Sequence, residues 1–153
     1  MGARHRFAAL ALAGLGLLDA CASPLEGTYA GPLQDVVTCP SGSTTSGESA
    51  VLDVDVVGDT ARIGGICPGE LVPGAIHGRA IALVGLTACA PVDLGDGLTG
   101  TLTFAPSSQL SLAAGELAVG LDASLRVVAD GSTYTGTATC TETITGVLAP
   151  EGD

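Results

Sequence analysis

The sequence predicts an all-β domain: an antiparallel meander of roughly seven to nine short strands forming a small barrel or sandwich, preceded by a signal peptide. Three observations carry this. Apolar residues recur at every second position, the period of a half-buried strand rather than a helix. Gly-Asp and Asp-Gly dipeptides fall between such stretches, where hairpins need them. No helix-length amphipathic stretch follows residue 23.

The chain opens on Met1-Gly2-Ala3-Arg4-His5-Arg6, basic and without an acid; the apolar run Phe7 to Leu18 follows, then the small residues Ala20, Cys21, Ala22 and Ser23. A basic start, an apolar middle and a small-residue cleavage site make a secretory signal. The apolar run, at roughly 1.5 Å per residue, is too short to cross a hydrocarbon core of about 30 Å. Residues 1–20 are therefore expected to be the signal peptide, 21–27 a tether and 28–153 the β domain.

Candidate strands lie near 27–38, 50–57, 60–67, 76–87, 98–105, 116–129 and 132–147. In the sixth, Leu117, Val119, Leu121, Ala123, Leu125 and Val127 hold one face, against Ala118, Gly120, Asp122, Ser124, Arg126 and Val128 on the other. Leu98, Gly100, Leu102 and Phe104 alternate with Thr99, Thr101 and Thr103; Thr133, Thr135, Thr137, Thr139 and Thr141 alternate with Tyr134, Gly136, Ala138 and Cys140. Threonine suits the wet face of a strand. The stretch Ser41–Ser49 reads as a polar loop and Leu86 to Gly97 as another, around Pro91. Gly100 and Gly136, at inward positions, are expected to mark bends.

Two dipeptides predict register. A two-residue loop at Gly58-Asp59 sets Val54 opposite Ile63 and Asp55 opposite Arg62, an apolar pair inside and an opposite-charge pair outside. A two-residue loop at Asp130-Gly131 sets Val127 opposite Tyr134, Leu125 opposite Gly136 and Leu121 opposite Cys140. A short echo, Thr28-Tyr29-Ala30-Gly31 and Thr133-Tyr134-Thr135-Gly136, suggests that the first and last strands play matching parts in a closing sheet.

Cleavage before Cys21 leaves three arginines, no lysine and fifteen acidic residues, a formal charge of −12. Such a surface repels phosphate backbones, which argues against nucleic-acid binding. Only Tyr29, Phe104 and Tyr134 remain as aromatics, which nearly rules out stacking platforms for sugars or bases. Cys39, Cys67, Cys89 and Cys140 form an even set without metal-ligand spacing, read as two disulfides with three possible pairings.

Candidate chemistry is sparse. His77, the one histidine after processing, lies between glycines in Pro73-Gly74-Ala75-Ile76-His77-Gly78-Arg79 and reads as a loop or strand-edge residue. Asp53 and Asp55 share the wet face of a hairpin, where Arg62 neutralises Asp55. Asp93-Leu94-Gly95-Asp96-Gly97 lacks the alternating ligands and distal Glu of a calcium loop and reads as a turn. No catalytic residue, metal or cofactor is expected.

Leu18-Asp19-Ala20-Cys21 resembles the lipobox of bacterial lipoproteins, with Asp19 departing from the small or hydroxyl residue usual there. The resemblance implies cleavage before Cys21, diacylation of its thiol, membrane attachment through the acyl chains and, with Ala22 next, the outer membrane. Ala20-Cys21-Ala22 is the competing site, at which an ordinary secreted protein is cleaved after Ala22. Gly27-Thr28-Tyr29 is similar to the Gly-x-Trp that opens lipocalins, with Tyr for Trp. The expected function is a lipid-anchored, non-enzymatic structural or interaction module of the cell envelope. The alternative is a small barrel holding an apolar ligand, since inward residues are often small.

Overall fold

The computed structural model describes residues 23–130 and 135–152. Eleven strands make up the fold: β1 (Gly27–Cys39), β2 (Gly42–Val57), β3 (Thr60–Cys67), β4 (Glu70–His77), β5 (Ala80–Leu83), β6 (Thr87–Ala88), β7 (Val92–Gly95), β8 (Leu98–Phe104), β9 (Gln109–Ala113), β10 (Glu116–Asp130) and β11 (Thr135–Pro150). There is no helix among the described residues.

Tight turns drive the architecture. Two residues link Cys39 to its partner Gly42, Val57 to Thr60, Cys67 to Glu70, His77 to Ala80 and Ala113 to Glu116. At Gly58-Asp59 the glycine alone takes positive φ, at 66°, as a type II′ turn requires. Val54 pairs with Ile63 and Asp55 with Arg62, as the dipeptide predicts. Each hairpin lays the next strand antiparallel to the last.

The sheet closes on itself. The order β11-β1-β2-β3-β4-β5-β9-β10, with β10 paired back to β11, makes a ring of eight strands. β1 pairs with β11, so the first and last strands do meet in the closing seam. Along its other edge β10 holds two strands end to end: β9 against Glu116–Gly120 and β8 against Ala123–Ala129. At the junction Ser108, fully buried, donates from Oγ to the Asp122 carbonyl at 2.8 Å and accepts from its amide at 3.0 Å. That hydroxyl, with the Ala105 amide donating to the same carbonyl at 2.7 Å, replaces the ladder where one partner strand ends and the next begins.

The interior is packed with side chains. Leu52, Ile63, Ile81, Phe104, Leu110, Leu117 and Leu148 are all at most 1% exposed. Leu25, ahead of β1, is also fully buried, and the Tyr29 hydroxyl donates to its carbonyl at 3.2 Å. The segment expected to be a tether is thus docked into the barrel from Leu25 onward.

Several sequence expectations need correction. The Asp130-Gly131 register is displaced by four residues: Leu125 faces Cys140 rather than Gly136, and Leu121 faces Ile144 rather than Cys140. The pairing of Tyr134 with Val127 lies outside the described residues, and Val127 pairs with Ala138. β10 stays paired as far as Asp130 with Thr135, so the connection is longer than the dipeptide suggests. Because four is even, every side chain keeps its face.

Residues Gly42–Ser49, expected in a polar loop, belong to β2: all are exposed, so their polarity reported exposure and not irregularity. The strand expected over 76–87 is two, β4 and β5, reversing at Gly78-Arg79 with φ 64° at the glycine. The loop around Pro91 carries the short strands β6 and β7. β9, with Leu110 and Leu112 buried, has five residues, too few for its alternation to stand out in the sequence. Of the two expected bends, Gly100 lies against Leu94 and Leu125, whereas Gly136 is exposed with open space around it.

Candidate functional site

The four cysteines form two disulfides, Cys39–Cys140 and Cys67–Cys89. Register explains the first: Thr38 faces Thr141, so the next positions along β1 and β11 bring Cys39 opposite Cys140, with Cα atoms 4.3 Å apart. The second ties the end of β3 to the segment after β6, where the Ala90 amide also donates to the Glu70 carboxylate at 2.9 Å. Both bridges lie toward the end of the barrel away from Leu25. Two disulfides are compatible with an exported protein in an oxidising environment.

That end is open on one side. β2 and β3 pair only between Asp53–Val57 and Thr60–Gly64. Beyond Gly64, β3 turns away: Gly65 has φ +91°, and its pairing to β4 is irregular between Ile63 and Cys67. A Cβ at Gly65 would overlap the Val51 carbonyl oxygen, so only glycine permits this departure. β2 meanwhile continues to Gly42, held by β1 in unbroken register. Among the described residues no strand pairs its outer edge from Gly42 to Ala50, and at Val51 the backbone of Gly65 lies against the carbonyl. A groove of about 450 Å³, open to solvent, lies between Glu48 and the β3–β4 turn, Gly64 to Leu71.

The inner face beside this edge is acidic. Leu33 on β1, Leu52 on β2 and Leu148 on β11 are buried, and alternation from them puts Asp35, Glu48 and Glu142 on the same face. Asp35 pairs across to Ser46 on one side and Ile144 on the other, so Glu48 and Glu142 stand diagonal to it, at about 7–8 Å between backbones. Burial, then the charges of Asp35 and Glu48, push the Glu142 carboxyl up to about 7. Burial, then Glu48, raise Asp35 as well. Asp35 Oδ1 is buried without a hydrogen-bond partner. The three carboxylates do not come together as a cation cage, and no group of metal-ligand side chains suited to an ion occurs among the described residues.

The residues singled out in the sequence lie elsewhere. His77 is exposed at the end of β4. Asp53 accepts a 2.8 Å hydrogen bond from Thr28 Oγ1, and Asp55 faces Arg62 on the outer surface. Asp93 Oδ1 accepts from the Gly95 amide at 2.8 Å, and Asp96 and Gly97 take φ of 51° and 76°, a tight turn. Cys21 lies outside the described residues. Asp35, Glu48 and Glu142 carry no signal of their own in the sequence: Asp35 and Glu142 lie in stretches whose strand character rests on apolar residues and threonines, and Glu48 lies in a polar run that reads as a loop. Parity was the available signal: Tyr29, Gly31, Leu33, Asp35 and Val37 share one face, with a single acid among them.

No protein family, curated protein or solved structure matches the chain.

Proposed function

We propose that this chain is an exported, lipid-anchored protein of the cell envelope that acts as a non-enzymatic interaction module. The observation that carries the module reading is the filled barrel. Eight strands of this kind can enclose a small ligand when side chains leave a lumen. Here Leu25, Leu52, Ile63, Ile81, Phe104, Leu110 and Leu117 occupy that space, which disfavours the apolar-ligand alternative. What the molecule offers is its exterior and its open end.

The anchor rests on the Leu18-Asp19-Ala20-Cys21 pattern behind a basic and apolar leader, and two disulfides suit the oxidising side of a membrane. Leu25, fixed in the barrel, is four residues beyond Cys21, a reach of at most about 14 Å. Acyl chains on Cys21 would hold the Leu25 end close to the lipid, in our reading the outer membrane. β1 then runs 13 residues away from it, so the acidic open end points outward. One acyl chain binds marginally, whereas two give stable attachment.

Labelling cells with a palmitate analogue tests the anchor. The wild-type protein takes up label and Cys21→Ala does not; label retained by that variant refutes acylation at Cys21. A secreted protein cleaved after Ala22 would instead begin at Ser23, carry no lipid and appear in the soluble fraction, which mass spectrometry of the mature terminus reads directly.

A further inference from the structure

We infer that the free edge of β2 accepts an extended, basic segment of a partner protein as an additional strand, its inward lysine or arginine side chains lying against Glu48 and Asp35. This rests on the module reading above and names its partner chemistry. Two independent features of the open end converge on it.

The first is the edge itself. Residues on an outer strand direct every second pair of backbone N–H and C=O groups away from the sheet, a template for another strand. Proteins normally blunt such edges with lysine, proline or bulges. Gly42 to Ser49 has no lysine, proline or bulge, and its one charge, the inward Glu48, turns away a like-charged strand while admitting a basic one: the run is Gly-Ser-Thr-Thr-Ser-Gly-Glu-Ser, paired to β1 without a register shift. β1 is in turn bridged to β11 through Cys39–Cys140 at the same end. The template is therefore held in place before any partner arrives. The groove beside Glu48 leaves room for a chain between β2 and the β3–β4 turn.

The second is charge. A strand added to β2 sends alternate side chains onto the inner face, next to Glu48 and over Asp35 toward Glu142. Those three acids repel one another. A lysine or arginine beside Glu48 supplies the missing opposite charge. A second copy of this chain is the wrong occupant: it has no lysine, its β1 and β2 carry no arginine, and its own β2 would bring another Glu48 to the site. Backbone pairing with alternating side-chain selection is a recurrent way of capturing peptides.

The test uses the processed, disulfide-bonded protein and three short synthetic peptides: lysine alternating with threonine, glutamate alternating with threonine, and the lysine peptide N-methylated at every second residue. The lysine peptide binds, the glutamate peptide does not, and N-methylation weakens binding by about tenfold or more because the edge hydrogen bonds are lost. Asp35→Asn with Glu48→Gln weakens the lysine peptide by about 5- to 10-fold while urea unfolding confirms an intact fold. Raising pH from 6 to 8 tightens binding, as ionising Glu142 adds a charge for the cation to meet. Absence of binding, or N-methylated and unmodified peptides binding alike (as in adsorption to an acidic surface), overturns the proposal; so does concentration-dependent self-association through β2. Acylation of Cys21 without peptide binding removes this site and leaves the anchor standing. Peptide binding without acylation does the reverse.

Discussion

Replacing Glu142 by glutamine should stabilise the protein above neutral pH and change little in acid. Glu142 faces inward beside Asp35 and Glu48, and its carboxyl is raised from 4.5 to about 7, first by burial and then by those charges. A group whose native pKa lies above its unfolded value binds its proton more tightly when folded. The stability this confers is complete below about 4.5 and is lost as pH rises through about 7. At about 1.36 kcal/mol per unit the shift sets a ceiling near 3 kcal/mol; with half the group exposed, solvent screening reduces this to about 1–2 kcal/mol. The assay is urea unfolding of wild type and Glu142→Gln at pH 4 and pH 8 with disulfides intact. The variant's advantage should appear at pH 8 and vanish at pH 4. An equal difference at both pH values, or a wild type that gains on the variant as pH rises, would refute the placement of Glu142 among like charges.

Three further outcomes follow from the packing. Ser108→Ala should cost about 1–3 kcal/mol, since the Asp122 amide and carbonyl both lose the buried hydroxyl; Ser107→Ala, on an exposed hydroxyl bonded to the Asp122 carboxylate, should stay within about 0.5 kcal/mol in the same urea titration. Leu25→Ala should cost about 2–5 kcal/mol, as expected for a core leucine; a change below about 0.5 kcal/mol would mean that the segment before β1 is a free tether. Cys39→Ala with Cys140→Ala opens a bridge spanning 101 residues and should lower stability by about 4–5 kcal/mol, against about 3 kcal/mol for the pair Cys67 and Cys89, which span 22.

How far the sequence reveals this fold depends on how local each determinant is. The Gly58-Asp59 hairpin could be read because glycine at one position satisfies a two-residue turn and the flanking Val54, Asp55, Arg62 and Ile63 agree with it. Asp130-Gly131 carries the same local signal, yet β10 and β11 remain paired to Asp130 and Thr135, and the bridge at Cys140 belongs to β1, a partner over a hundred residues away. Gly42–Ser49 looks irregular because a strand exposed on both faces has no apolar alternation to display. β4 and β5 merged for the opposite reason: Ile76 and Ile81 are apolar on either side of a turn whose only local mark is Gly78. The acidic site shared this difficulty. Each of Asp35, Glu48 and Glu142 is unremarkable alone, and only the pairing of β1 with both β2 and β11 puts them on one face.

The two ends of the barrel are held by different physics, and this explains why the acids sit where they do. Near Leu25 the ring is complete, and Tyr29, Leu52, Val54, Ile63, Leu117 and Leu148 exclude water. Carboxylates there would be desolvated at a cost of several kcal/mol each. Toward Cys39 the ring is interrupted between β2 and β3, and the inward Glu48 beside the gap is exposed. Covalent bonds take over: Cys39–Cys140 holds the β1–β11 seam, and Cys67–Cys89 ties β3 to the edge beyond β8. The bridges add to what buried Phe104 and Ala123 supply at this end, and so it can tolerate three mutually repelling acids. Reduction should therefore loosen this end before the Leu25 end. Hydrogen exchange after mild reduction should rise first in residues 36–48 and 137–145, and exchange that rises first around Leu52 and Ile63 would contradict the division.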